Sequence, residues 1–335
     1  MEERLSGADG ELLAEVRSGA ATVTLNRPAA LNALSFGMLQ GLTEWLDRWE
    51  HDERVGLLVF RGAGEKAFCA GGDIRALYGK LTRDPTELHE YFTVEYGLDY
   101  RIHNYPKTIV SLMDGIVMGG GMGLAQGTKM RIVGARTRMA MPETAIGLFP
   151  DVGGSYFLSR VPGELGLYLG LVGPTIRAAD ALYCGLADVS TFEVDDTQCE
   201  LAQLREPVDR HFSKGSVPAI VESLRSENDP RYAPWAAATI EALSKRSPTL
   251  LCVTHEQIRR GARLSLADCF RMELDLMLAC FDQGDIIEGI RALLIDKDNT
   301  PRWQRSRIED VTKQDVAAFF APRWTAAKHP LASLK

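Results

Sequence analysis

The sequence predicts an α/β core followed by a helical region, on three observations. Up to about residue 195, short β-branched runs alternate with stretches whose apolar residues recur at helical spacing. Two glycine clusters each stand between an apolar run and a helical stretch. Further on, β-branched runs become scarce and long amphipathic stretches such as 265–294 take over. The expected division is an α/β domain over residues 1–195 and a helical region over 196–335.

The elements follow in order. Residues 20–25 (AATVTL) read as a strand, stopped by Asn26, Arg27 and Pro28. Ser35 can cap a helix, because its hydroxyl can accept a first-turn N–H. Met38, Leu39, Leu42, Trp45, Leu46 and Trp49 then follow at helical spacing. A second strand spans 55–60 and breaks at Gly62 and Gly64. KAFCAGGDI (66–74) comes next, with Asp73 placed to open a helix. Residues 86–105 read as a helix that Pro106 ends. Strands at 107–113 and 130–133 bracket Gly119, Gly120 and Gly121. Within 163–185 the pattern is helix, turn at Gly173-Pro174, helix. No internal repeat or low-complexity tract interrupts the chain.

With 335 residues, 45% hydrophobic and 25% charged, the chain can bury a sizeable core. A net charge of −7 argues against nucleic acid as the main ligand. Cys69, Cys184, Cys199, Cys252, Cys269 and Cys280 form no Cys-x-x-Cys pair and read as reduced thiols. The start, MEERLSGADG, has neither the basic nor the apolar block of a targeting peptide, and no uncharged apolar run reaches membrane-spanning length. The expectation is a soluble cytoplasmic protein without membrane partners.

Chemistry-bearing groups are few. Gly119, Gly121 and Leu124 do not complete G-x-G-x-x-G, and no G-x-x-x-x-G-K-[ST] occurs. Ser155 lies in GGSYF rather than G-x-S-x-G, and the six histidines lack metal-ligand spacing. Glycine clusters at 71–72 and 119–121 could each aim one N–H at a single oxygen, since glycine lets the backbone approach closely. Two unrelated turns would leave the same pattern. Glu143 and Asp151, separated by the largely apolar TAIGLFP, are the remaining candidates, because an acid in apolar surroundings can hold a proton near neutral pH. A helix cap and a turn residue would look alike.

At these residues the sequence closely resembles the crotonase, or enoyl-CoA hydratase/isomerase, superfamily. TLNRPAALNAL (24–34), KAFCAGGDI (66–74), DGIVMGGGMGLA (114–125) and MPETAIGLFPDVGG (141–154) match in order. FPDVGG, VEY at 94–96 and EGIRALLIDKDNTPRW (288–303) are most similar to its 3-hydroxyisobutyryl-CoA hydrolase subgroup. The resemblance implies a crotonase-like spiral of ββα units with a helical C-terminal region. It implies an acyl-CoA substrate whose thioester oxygen meets an oxyanion hole of Gly72 and Gly120. Ala33 would lie along the CoA, Glu95 would contact the acyl group, and Glu143 and Asp151 would be the catalytic acids. No metal or separate cofactor is implied, and a homo-oligomer of the trimer type is.

One departure is informative. Typical hydratases of the family carry a second catalytic glutamate where this chain has Gly123, and they lack an acid at the position of Asp151. That redistribution favours hydrolysis of a short branched 3-hydroxyacyl-CoA, a reaction of valine catabolism. Glu143 would be nucleophile or base, and Asp151 would orient the hydroxyl or assist proton transfer. Double-bond isomerisation needs only one acid and is the nearest alternative. A non-catalytic acyl-CoA-binding or RNA-binding member would not need either.

Overall fold

The computed structural model describes residues 2–81 and 85–335. Numbered along the chain, its strands are β1 (Glu3–Gly7), β2 (Leu12–Arg17), β3 (Ala20–Leu25), β4 (Leu57–Gly62), β5 (Ala67–Cys69), β6 (Thr108–Met113), β7 (Ile116–Met118), β8 (Met130–Val133), β9 (Arg138–Ala140) and β10 (Val189–Ser190). The helices are α1 (Phe36–Glu50), α2 (Ile74–Leu81), α3 (Pro85–His103), α4 (Gly120–Gln126), α5 (Gly154–Phe157), α6 (Leu165–Val172) and α7 (Ala178–Tyr183). They continue with α8 (Glu200–Phe212), α9 (Val217–Arg225), α10 (Ala233–Ser244), α11 (Pro248–Gly261), α12 (Leu266–Gln283), α13 (Ile286–Ile290) and α14 (Lys313–Phe319).

The chain forms two compact units that interleave along the sequence. The first comprises Met1–Asp73, Thr86–Ala140 and Thr175–Cys199, and the second Ile74–Pro85, Met141–Pro174 and Glu200–Lys335. All the named strands lie in the first unit. Seven form a sheet in the order β1-β2-β3-β4-β6-β8-β10, antiparallel across β1, β2 and β3 and parallel beyond. The other three, β5-β7-β9, form a parallel sheet. From β4 to β9 the chain therefore alternates between the large and the small sheet, with helical segments after β5 and β7. That is the ββα spiral expected.

Ser35 caps α1 by accepting the Met38 N–H at 3.2 Å, a contribution of about 1 kcal/mol. The buried face of α1 is Met38, Leu39, Leu42, Trp45, Leu46 and Trp49, the six positions picked out by spacing. Six strands, β1, β2, β5, β7, β9 and β10, escaped the sequence reading. In β2 the buried residues Leu12, Ala14 and Val16 do alternate, but the polar flanks hid the period. β1 buries none of its residues, and β7 and β9 are only three residues long, too short for a period to register.

Each glycine of the triplet answers a different demand. Gly119 has φ +49°, a left-handed backbone that residues with a Cβ rarely adopt. At Gly121 a Cβ would overlap the Cys69 carbonyl oxygen, so this glycine lets α4 press on β5. Gly120 opens α4, which leaves its N–H without an intrahelical acceptor.

The second unit is helical. α11 packs on α5, α6 and α14, and α12 packs on α5, α13 and α14. Ser265 caps α12, and the amphipathic stretch 265–294 is divided at Gly284 between α12 and α13. All six cysteines are free thiols; Cys252 is half-buried and the others are buried. Burial pushes the thiols of Cys69, Cys252 and Cys269 up to about 12, and that of Cys280 well above its usual range. No described helix is long and apolar enough to cross a membrane.

Candidate active site

In the first unit the NRPAALNAL segment is held by its own polar groups. Leu31 and Asn32 take left-handed φ values of +53° and +57°, a conformation asparagine tolerates better than most residues. The fully buried Asn32 side chain accepts the Arg27 N–H at 3.0 Å and donates to the carbonyls of Ala63 and Ala67 at 3.0 and 2.8 Å. Arg27 bridges Glu11 at 2.8 Å and Asp73 at 2.9 Å, and donates to the Ala33 carbonyl at 2.7 Å. Ala33, expected along the CoA, is half-buried on this segment.

Leu34 then forms a parallel bridge with Gly72, receiving the Asp73 N–H at 2.9 Å and donating its own to Gly71 at 2.8 Å. Those bonds leave the Gly72 N–H outside the bridge. A Cβ built on Gly120 would lie 3.3 Å from the Gly72 nitrogen and 2.7 Å from Glu95 Oε1. One built on Gly72 would lie 3.9 Å from the same Glu95 oxygen. The structure thus brings together Gly72, Gly120 and Glu95, three residues far apart in sequence. Glu95 is only 3% exposed, presented by α3 among Tyr91, Phe92, Tyr96 and Leu98. Asp99, one turn further along α3, is 2% exposed and escaped the sequence reading. The signal was an acidic pair at i,i+4 among positions that are otherwise apolar.

Glu143 and Asp151 lie together in the second unit. β9 runs through Met141 and Pro142 into a single tight turn, Glu143–Ile146, whose Thr144 hydroxyl donates to Leu171 O at 3.1 Å. Glu143 is 6% exposed, and its buried Oε2 has no hydrogen-bond partner among the described residues. Burial first, and the negative charge of Asp151 second, hold the Glu143 carboxyl well above the usual carboxylate range. Asp151 is likewise 6% exposed and accepts the Gly154 N–H on its carbonyl at 2.7 Å. Its turn is unusual: Val152 has φ +51° and Gly153 φ +87°.

Two buried side chains hold that turn. Gln257 on α11 donates to Pro150 O at 2.6 Å and to the Ser155 hydroxyl at 2.8 Å. Glu273 on α12 accepts the N–H groups of Gly153 and Ser155 at 2.7 and 2.8 Å. Sequence reading passed over both. The signal for Glu273 was a lone acid in the apolar stripe of α12. Among the described residues no group of three or more His, Cys, Asp and Glu could hold a metal ion.

The profile of the enoyl-CoA hydratase/isomerase family matches residues 20–195 and 189–320. The chain is 39% identical to "3-hydroxyisobutyryl-CoA hydrolase, mitochondrial" of Gallus gallus, over 93% of this chain and 89% of that protein. It is also 39% identical to "Probable 3-hydroxyisobutyryl-CoA hydrolase 2" of Arabidopsis thaliana, over 92% and 91%. Among solved structures, an enoyl-CoA hydratase from Rhodobacter sphaeroides is 37% identical with TM-score 0.87, covering 93% of this chain and 98% of that one. A carnitinyl-CoA dehydratase from Mycobacterium thermoresistibile is 38% identical with TM-score 0.88, covering 94% and 97%.

These relatives correct the cytoplasmic expectation. The Gallus gallus protein and its counterparts in Danio rerio and Xenopus tropicalis are named mitochondrial. That expectation had leaned on the opening residues, of which Glu3–Gly7 form a strand paired antiparallel with β2.

Proposed function

The chain belongs to the enoyl-CoA hydratase/isomerase family, and from that premise we propose that it hydrolyses the thioester of 3-hydroxyisobutyryl-CoA to 3-hydroxyisobutyrate and CoA. Curated relatives that share 39% identity over nine-tenths of the chain carry that activity in their names. Such a reaction belongs to valine catabolism. Water supplies the hydroxyl, the C–S bond breaks, and the thiolate of CoA leaves with a proton.

The observation that carries hydrolysis over addition of water is the carboxyl pair. Glu143 has a raised proton affinity and a buried oxygen without a partner among the described residues, beside Asp151. A base whose pKa is lifted toward the working pH is the more effective one. Glu143 takes a proton from water or attacks the carbonyl itself, and Asp151 assists the proton transfer or orients the hydroxyl. The N–H groups of Gly72 and Gly120 serve as the oxyanion hole, worth about 3 kcal/mol per donor in comparable sites. Glu95 reads the 3-hydroxyl, and the segment around Ala33 receives the CoA.

The hydratase and dehydratase titles of the two solved relatives favour a second reading, addition or loss of water at a C–C bond. Gly123, which has no side chain to offer a second acid on α4, weighs against it. The reaction uses no metal or added cofactor, so turnover should survive a chelator; loss on chelation and return with a divalent ion would refute this. A homo-oligomer of the trimer type completes the proposal, readable by light scattering.

The deciding assay follows free thiol and alkene hydration side by side. Thiol release from 3-hydroxyisobutyryl-CoA or 3-hydroxypropionyl-CoA should far outpace release from isobutyryl-CoA, because a site built for a hydroxyl leaves polar groups unpaired without it. Equal rates would remove the role of Glu95. Hydration of crotonyl-CoA without thiol release would overturn hydrolysis. Single turnover in H₂¹⁸O separates the two roles of Glu143, since only an anhydride intermediate leaves label in its carboxylate.

A further inference from the structure

Glu273 is buried to 0% exposure on the inner stripe of α12, beside Phe270, Leu274 and Met277. A carboxyl there is costly, and an apolar residue of similar size would fill the space without desolvating a charge. Its two oxygens are nevertheless fully used, one on the Gly153 N–H and one on the Ser155 N–H, across 120 and 118 residues of sequence. Both donors belong to the turn that follows Asp151.

That turn is held against its own preference. Val152 is β-branched yet sits at φ +51°, a combination that persists only where surrounding contacts over-determine it. Gln257 grips one side of the turn through Pro150 O and Ser155 Oγ, and Glu273 grips the other. The Glu273 bonds also satisfy N–H groups at the start of α5, a helix of only four residues. Burial first, and the nearby charge of Asp151 as a smaller cause, raise the proton affinity of Glu273, against the opposing pull of its hydrogen bonds to Gly153 and Ser155.

We propose that Glu273 is a positioning residue for the hydrolysis: from α12 it holds Asp151 in its working orientation by accepting the N–H groups of Gly153 and Ser155. The inference rests on the hydrolase reading, in which Asp151 is one of the working acids. Glu273 touches no substrate and acts only through the turn.

The test is a double-mutant cycle on thiol release from 3-hydroxyisobutyryl-CoA, with Glu273→Gln, Asp151→Asn and the pair. A glutamine keeps the shape but presents an NH₂ where one backbone N–H needs an acceptor. Glu273→Gln alone should lower kcat about 10- to 100-fold with KM little changed, as expected for a misplaced catalytic group. In the Asp151→Asn background it should cost nothing further, because groups that act as a unit are not additive. An equal loss in both backgrounds would make Glu273 structural and overturn the proposal, as would full activity of Glu273→Gln. Full thiol release by Asp151→Asn would instead remove the role given to Asp151, and no thiol release by the unchanged protein would refute the hydrolase reading itself. If Glu273→Gln fails to fold by circular dichroism, Glu273→Asp takes its place in the cycle. Unfolding of both variants would overturn the proposal, since Glu273 would then hold up the fold and not the site.

Discussion

A methyl group at Gly72 would stand 2.9 Å from the Tyr91 hydroxyl, closer than packed atoms approach. That hydroxyl donates to Leu34 O at 3.3 Å on a ring only 3% exposed, so the ring has to yield. Gly72→Ala keeps its N–H. It should fold and retain activity, with a loss below the roughly 10²- to 10³-fold that follows removal of an oxyanion donor. Inactivity in folded protein would mean the pocket accepts no displacement of Tyr91. Glu143→Gln and Asp151→Asn should each lose most turnover, about 10²- to 10⁴-fold, with the fold intact. Residual Asp151→Asn activity carries a second signature. Glu143 must shed its proton to act, so kcat/KM falls as pH drops through its raised pKa. Removing the charge of Asp151 lowers that pKa, and the acid limb should move to lower pH; an unmoved limb would contradict the coupling. Glu143 and Asp151 were legible in the sequence because they stand in a motif. Glu273 and Gln257 were not, because each acts through a backbone more than 100 residues away.

Elements were legible where a period had room to repeat. α1 shows its six buried positions over fifteen residues, whereas β7 and β9 offer three residues each. The twist of the chain at Leu31 and Asn32 is likewise invisible to periodicity, and only the asparagine hints at it. α12 shows how one polar residue alters an element. Burial pushes Glu273 up to about 8 in the folded protein, against 4.5 for an ordinary glutamate. Between those values the folded state holds a proton that the unfolded chain has lost, so this contribution to stability is complete below pH 4.5 and drains away as pH rises toward 8. The slope is about 1.4 kcal/mol per pH unit while both conditions hold. Urea unfolding at pH 5.5 and 8 should therefore show a smaller loss of stability for Glu273→Gln than for the unchanged protein. Equal losses would mean that Glu273 is ionised throughout.

At the scale of the whole molecule, composition set the class and the family resemblance set the chemistry. The ββα spiral came with the resemblance, but the order of strands lay beyond composition and periodicity, because it is decided by pairings such as β4 with β6 that no local pattern records. The compartment was misjudged from the opening residues and is corrected by the relatives named mitochondrial. Burial leaves four of the six thiols, those of Cys69, Cys252, Cys269 and Cys280, with little tendency to ionise, which has a bearing on the product. Each turnover releases CoA, itself a thiol, which is oxidised to disulfides that can trade partners with protein cysteines. Only the thiolate attacks, and a thiol with a pKa near 12 is ionised in roughly one molecule in 10⁵ at neutral pH. The protein should therefore resist modification by its own product: incubation with CoA disulfide should leave its mass unchanged, with half-buried Cys252 the first to react. Adducts at two or more cysteines in the folded protein would show that the interior opens far more readily than its packing suggests. If it stays closed, the enzyme can work amid a pool of oxidised CoA without being capped by it.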